Sequence, residues 1–352
     1  MVYYIRFLKT PRFQQQKKSV FISALICITT DLGDDFLAED VDLTASWVQH
    51  PSHKVRYQTA LQWQAGSRHL SILLGPFSPN DVAGQTAVLK VHLPDVEKDV
   101  LGEHSTPLVI SGCSAPFGPG WEPAEPLIRR DLNIADNVRP LRIWEETGNS
   151  LARHIWDAAL ANIIFLEQVI TGTEKSMPAL GQLLDSGKSN LQVVELGAGC
   201  GIVGIALATM LGNCEVLLTD LPEVSEIVTR NINEASPKSS ASIKFQTLDW
   251  EDPTPNLTQG PIDLILISDC TYNADSLPAL VSVLDRLVRG SPGAMVLVAL
   301  KRRHESEAVF FDLMRNAGFV SLQAKVPLPS QWEQVDQIEM HCYQQESGVE
   351  KA

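Results

Sequence analysis

Several features that would assign this 352-residue chain to a specialised class are absent from its sequence. Its six cysteines form no C-x-x-C pair, so neither a disulfide framework nor a structural zinc site is indicated. A reducing compartment is expected: the cytoplasm, with the nucleus as the alternative. The 28 basic residues are outnumbered by 42 acidic ones, and the net charge of −14 argues against a nucleic-acid-coating surface. The apolar segment 19–30 is too short to span a bilayer and is expected to be a buried strand, so no membrane association is predicted.

The sequence divides into two regions with different patterns. From residue 1 to 138, short apolar runs alternate with Gly, Pro and Asp, which predicts a β-rich N-terminal lobe without a recognisable catalytic constellation. From residue 139 to 346, buried strands alternate with amphipathic helices. That alternation predicts an α/β domain with a doubly wound, mostly parallel sheet.

The end of the second region distinguishes between two versions of this fold. The apolar runs 320–326 and 337–343 are too close for a helical crossover, so they are expected to pair antiparallel. A dinucleotide-binding domain keeps its sixth strand parallel. The pattern therefore favours a seven-stranded Rossmann-like sheet with an antiparallel last strand, as in enzymes that bind S-adenosylmethionine (AdoMet).

A glycine-rich turn follows the strand 191–196. The sequence Glu195-LGAGCGIVG places glycines at 197, 199, 201 and 204, and it fits both the dinucleotide pattern G-x-G-x-x-G and the AdoMet pattern E-x-G-x-G-x-G. Bare backbone amides at a helix N-terminus suit the methionine carboxylate of AdoMet. Glu195 is expected to receive the ammonium of the ligand, directly or through water.

Three further strands are predicted to end in polar or aromatic side chains at the same edge of the sheet. Asp220, nineteen residues after Gly201, can accept from both ribose hydroxyls, or it can cap the helix that begins near Pro222. Trp250 can flank the adenine, or it can pack in the core. Asp269 and Tyr272 are expected beside the transferred methyl group, and a helix cap is the alternative for Asp269.

These motifs, together with Trp156-Asp157-Ala158-Ala159 and Asp269-CTY, resemble the seven-β-strand protein-lysine methyltransferases over residues 141–344. The resemblance implies an AdoMet site and, at the substrate side, a D-x-x-Y motif in which Asp269 and Tyr272 are the catalytic residues. The cofactor-binding residues expected from the motifs and the resemblance are Trp156, Glu195, Gly197, Ala198, Gly199, Gly201, Asp220, Leu221, Trp250 and Ser268.

The sequence therefore predicts an AdoMet-dependent methyltransferase that acts on a lysine side chain of a protein substrate. A small-molecule N-methyltransferase and a catalytically inactive binding scaffold are the alternatives. Methylation of a nucleobase is disfavoured because the motif is D-C-T-Y rather than N-P-P-Y. A dinucleotide oxidoreductase is disfavoured by the predicted terminal hairpin.

Overall fold

The computed structural model describes residues 2–94, 96, 98–118, 120–134, 140–148, 150–187, 190–252, 257, 260–304, 307–331 and 336–345. They form two compact units. Of the described residues, the first unit contains 2–133, 140–154 and 329–331, and the second contains 134, 155–328 and 336–345.

The first unit is built from two β-sheets, as the predicted β-rich lobe requires. Its strands are β1 (Tyr3–Gln16), β2 (Ser19–Thr29), β3 (Val41–Gln49), β4 (Val55–Trp63), β5 (Leu70–Phe77), β6 (Ala87–His92), β7 (Asp99–Leu101), β8 (Val109–Ile110), β9 (Gly112–Ser114), β10 (Leu127–Ile134) and β11 (Leu141–Glu146), with a short helix α1 (Pro79–Val82). One sheet has the order β5-β2-β1-β8, and the other has the order β11-β10-β9-β6-β3-β4 with β7 paired to β10. The expected buried strand at 19–30 is confirmed as β2.

Aromatic side chains join the two sheets of this unit. Trp47 of β3 lies with its ring centroid 5.9 Å from that of Phe13 on β1 and 4.9 Å from that of Phe77 on β5. Trp63 is fully buried, and its indole N–H donates to the carbonyl of Leu37 at 2.9 Å. Because buried aromatic rings remove large apolar areas from water, these contacts form a core between the sheets.

The unit boundary differs from the one predicted after residue 138. Strand β11 lies beyond that boundary, but it pairs antiparallel with β10 from Leu127↔Glu146 to Leu132↔Leu141, so it belongs to the first unit. The first α-helix after β11 begins at Asp157, after a 3-10 turn at Leu151–Arg153. The described residues 329–331 also belong to the first unit, whereas 332–335 lie outside the described residues.

The second unit contains a seven-stranded sheet. Its strands are β12 (Leu191–Leu196), β13 (Cys214–Asp220), β14 (Ser242–Thr247), β15 (Leu264–Ser268), β16 (Met295–Leu300), β17 (Phe319–Leu328) and β18 (Asp336–Gln345). Their order is β14-β13-β12-β15-β16-β18-β17. The first five are parallel, and β18 is antiparallel to both β16 and β17. This confirms the predicted parallel set and the closing hairpin.

Helices cover the second sheet. They are α2 (Asp157–Thr171), α3 (Pro178–Asp185), α4 (Ile202–Met210), α5 (Ser225–Glu234), α6 (Leu277–Gly290) and α7 (Ala308–Asn316). The strands β12, β15 and β16 are almost wholly apolar and buried, as expected for strands covered on both faces. No helix among the described residues is long and apolar enough to cross a membrane.

Candidate active site

The strand order places the carboxyl ends of four parallel strands along one edge of the second sheet. In register, Leu196 of β12 pairs with Thr219 of β13 and with Ile267 of β15, and Ser268 of β15 pairs with Ala299 of β16. The strand order switches sides at β12: β13 and β14 lie on one side of it, and β15 and β16 lie on the other. In open α/β sheets ligands bind outside the strand ends at such a switch point, and most of the predicted residues lie at or after the ends of β12, β13 and β15, with Trp250 after β14.

The glycine turn after β12 needs glycine for two separate reasons. Gly197, Gly199 and Gly201 have φ values of 66°, 54° and 75°, in the left-handed region that disfavours other residues. A Cβ atom at Gly197 would also lie 2.4 Å from the Sγ of Cys270 and 3.3 Å from Cζ2 of Trp250. The turn thus exposes bare backbone at the N-terminus of α4, whose N-cap is Gly201. Such a cradle fits a carboxylate ligand like that of AdoMet.

Glu195 lies beneath this turn and is 3% exposed. Its Oε2 accepts a hydrogen bond from the backbone N–H of Gly204 in α4 at 2.7 Å. Burial, together with the negative charge of Asp220, raises the pKa of the carboxyl to about 8, against the lowering effect of the Gly204 hydrogen bond. The expected contact with a ligand ammonium stays a prediction. The geometry gives this carboxyl a partner inside the protein.

Asp220 joins the end of β13 to the glycine turn. Its Oδ2 accepts from the backbone N–H of Gly199 and its Oδ1 from that of Leu221, both at 2.7 Å. The 3-10 turn Pro222–Val224 has no side-chain cap among the described hydrogen bonds, so the helix-cap alternative for Asp220 is wrong. A carboxylate offers about four acceptor positions. Among the described hydrogen bonds two positions are therefore left, enough for the vicinal hydroxyls of a ribose, and that contact stays a prediction.

Trp250 and Ser268 lie close to the same turn and strand ends. Trp250 is half-buried and packs against the core cluster of the second unit, while its ring edge lies beside Gly197. Core packing of this indole is therefore observed, and its contact with an adenine stays a prediction. The hydroxyl of Ser268 accepts from the amide of Asn162, a fully buried residue of α2, at 3.0 Å. Ala198, also part of the predicted set, is buried, and Leu221 is 39% exposed.

Asp269 has an ion-pair partner that the sequence did not indicate. Its carboxylate accepts from both terminal nitrogens of Arg303 at 2.8 Å each, and from the backbone N–H of Lys301 at 3.2 Å. The residue itself has a left-handed φ of 56° and is 7% exposed. The helix-cap alternative is wrong, because α6 begins at Leu277 and Ser276 is its N-cap.

Tyr272, the other half of the D-x-x-Y motif, is 63% exposed. Its phenol therefore stands at the open rim of the strand-end edge and forms no closed channel by itself. Trp156, the N-cap of α2, has its ring 5.4 Å from the guanidinium carbon of Arg303. Arg303 thus links Trp156, predicted for the cofactor, to Asp269, predicted for the acceptor.

Cys270, which directly follows Asp269, does not have the features of a nucleophile. Cys270 is buried, its Sγ lies 3.4 Å from the carbonyl oxygen of Ser268, and burial raises the pKa of its thiol. All six cysteines are buried and free. Among the described residues, no group of three or more His, Cys, Asp or Glu side chains could hold a metal ion.

The strand order, the glycine turn and the acid after β13 together define an AdoMet-dependent methyltransferase. A model of the lysine methyltransferase family matches residues 135–317, about half of the chain. The chain belongs to this lysine methyltransferase family. The expected family, fold class and AdoMet cofactor are thereby confirmed.

Individual proteins are similar over different parts of the chain. A UPF0665 family protein of Schizosaccharomyces pombe is 25% identical over 318 residues, which cover 88% of this chain and 92% of that protein. The protein N-lysine methyltransferase METTL21A of Danio rerio is 31% identical over 51% of this chain and 72% of its own length. EEF1A lysine methyltransferase 3 of Xenopus tropicalis is 33% identical over 49% of this chain and 68% of its own.

Proposed function

We propose that this chain transfers a methyl group from AdoMet to the side-chain nitrogen of a lysine in a protein substrate. The observation that supports this best is the convergence of the glycine turn, Asp220 and the Asp269–Tyr272 motif at one edge of the sheet. The family membership supports the lysine acceptor, and the relatives in zebrafish and frog are named as lysine methyltransferases of proteins.

We further propose a division of labour among the residues at this edge. The backbone of the glycine turn holds the carboxylate of the cofactor, Asp220 holds its ribose and Trp250 flanks its adenine, with Glu195 supporting the turn from beneath. The remaining residues that would line the cofactor site are Trp156, Ala198, Leu221 and Ser268. AdoMet supplies an activated methyl on a sulfonium, so the protein mainly has to position the acceptor in line.

The acceptor lysine must lose a proton before it can attack, because its ordinary pKa of about 10.4 leaves little neutral amine at pH 7. Tyr272 at the open rim becomes covered only when a substrate segment lies over it. Covering the amine removes water and favours its neutral form. A flexible protein segment that presents a lysine fits an open rim, and the six free cysteines support a cytoplasmic or nuclear setting.

The test is a labelling experiment with tritiated AdoMet. The protein is incubated with a fission-yeast lysate from cells that lack the similar protein of that organism, so that the acceptor is unmethylated. Labelled proteins are hydrolysed and their methylated amino acids separated. The expected result is label in methyl-lysine, lost in Tyr272→Ala while AdoMet affinity persists. Label confined to small molecules or to nucleic acid would overturn the proposal.

A further inference from the structure

Arg303 lies at the centre of a charge network that the predicted site residues do not include. It is the third residue after the end of β16 and its side chain is 20% exposed. Both of its terminal nitrogens donate to Asp269, whose side chain is 3% exposed, and its guanidinium lies over the ring of Trp156. A bidentate pair fixes direction as well as distance, so Arg303 determines how the Asp269 carboxylate is turned.

A second ion pair connects the end of β16 to the start of α2. Lys301, two residues before Arg303, places its ammonium 2.9 Å from the carboxylate of Asp157, which is fully buried. Asp157 directly follows Trp156 at the start of α2. The end of β16 therefore holds the start of α2 through Lys301 and the end of β15 through Arg303. Removing one partner of such a buried pair leaves an uncompensated charge, which is costly.

The pairing has a consequence for the acceptor amine. An unpaired carboxylate within about 4–6 Å favours the charged form of an amine and raises its pKa by roughly 1–3 units. An ammonium held in that way cannot attack the methyl group. Paired with Arg303, Asp269 carries little net field, so an amine beside it loses its proton more easily. The other charged or titratable groups packed against this pair are Lys301, whose backbone N–H donates to Asp269, Cys270, whose thiol lies in the field of Asp269, and Glu307, whose buried carboxylate accepts from the backbone N–H of Arg303 at 3.0 Å.

We propose that Arg303 is a positioning residue of the methyl transfer: it fixes the Asp269 carboxylate and the Trp156 ring and neutralises Asp269, so that the acceptor lysine reaches the site as the free amine. This inference rests on the proposed function, since it needs a lysine acceptor beside Asp269. In this proposal Asp269 helps to shape the acceptor site and does not form an ion pair with the acceptor ammonium.

The experiment measures the pH dependence of methyl transfer in Arg303→Gln. The acceptor is the same fission-yeast lysate, heat-treated, at saturating tritiated AdoMet. The acid limb of the rate profile is expected to move upward by about one pH unit or more, the scale of one uncompensated charge nearby. Arg303→Lys should keep the limb near its wild-type position. Adding Asp269→Asn to Arg303→Gln should bring the limb back, because both charges are then gone.

The matched control is Arg302→Gln. Arg302 is the adjacent residue, its side chain is 51% exposed, and it pairs with Glu339 rather than with the site. Its removal should leave the profile unchanged. Melting temperature and AdoMet affinity by calorimetry are measured on every variant, and the affinity of Arg303→Gln should fall by less than about tenfold, the scale of one cation–π contact.

Two outcomes separate this inference from the proposed function. A wild-type protein that binds AdoMet but labels no lysine overturns the proposed function. A wild-type protein that labels lysine, with an unshifted acid limb in Arg303→Gln and only a lowered melting temperature, overturns the role of Arg303. If Arg303→Gln fails to fold, Asp269→Asn decides: the charge of Arg303 is then uncompensated and should move the acid limb downward, and an unmoved limb overturns the role of Arg303.

Discussion

Glu195→Gln should make the protein more stable at alkaline pH than the wild type. Burial raises the pKa of Glu195 from 4.5 to about 8 in the folded state. Between these values the native state keeps a proton that the unfolded state has lost, so the free energy of unfolding decreases as the pH rises. The difference of about 3.5 units, at 1.36 kcal/mol each, corresponds to at most about 5 kcal/mol above pH 8.

Glutamine should remove this pH dependence without removing the contact. Its carbonyl oxygen can accept the Gly204 N–H that Glu195 accepts at 2.7 Å, and it carries no proton to lose. Denaturant unfolding at pH 5 should give similar free energies for the two proteins, and at pH 8.5 the variant should be ahead by up to about 5 kcal/mol. Glu215→Gln, an exposed acid on the neighbouring strand, is the control and should leave the curve unchanged. Parallel curves for wild type and Glu195→Gln would refute the reasoning.

The same variant also separates the two roles considered for Glu195. A hydrogen bond from a ligand ammonium to this carboxylate would be worth about 1.5–3 kcal/mol. Its loss would lower the AdoMet affinity more than about tenfold, since 1.4 kcal/mol is a factor of ten. Because the carboxyl faces the backbone of α4, we expect a smaller change. A larger loss in calorimetry, with folding intact, would restore the ammonium contact.

Three further predictions concern other buried contacts. Asp220→Ala should weaken AdoMet binding by about 2–4 kcal/mol, since two charge-assisted hydrogen bonds are lost, and an unchanged affinity in calorimetry would contradict the assigned ribose contact. Gly197→Ala should lower both melting temperature and AdoMet affinity, because its Cβ would meet Cys270, and adding Cys270→Ala should recover part of the stability. In the first unit, burial raises the pKa of Asp99 to about 6. The free energy of unfolding of the wild type should therefore decrease from pH 4 to pH 6 in unfolding experiments. Asp99→Asn should remove this pH dependence, because asparagine carries no such proton and still offers Ser111 a hydrogen-bond acceptor.

The sheet of the second unit was predictable because its signals are local. The strand predicted at 191–196 is β12 with the same bounds, and the hairpin follows from the short link between two apolar runs. The first unit was less predictable, since β1 contains the polar run QQQ and a proline within fourteen residues. Strand β11 was assigned to the second region because the boundary was set after residue 138, between two consecutive strands that pair with each other, with Leu132 opposite Leu141.

The ion pairs around Asp269 were not predicted from the sequence. The sequence predicts a carboxylate after a buried strand, with two possible roles: a catalytic residue beside the transferred methyl group, or a helix cap. In the structure this carboxylate forms an ion pair with Arg303. A signal was present: Lys301 and Arg303 stand two residues apart directly after the wholly buried β16, at the same edge of the sheet. Cations with that spacing point to one side of an extended chain. Next to a low-dielectric core they need carboxylate partners, and Asp157 and Asp269, which come from other elements, lie within ion-pair distance of them.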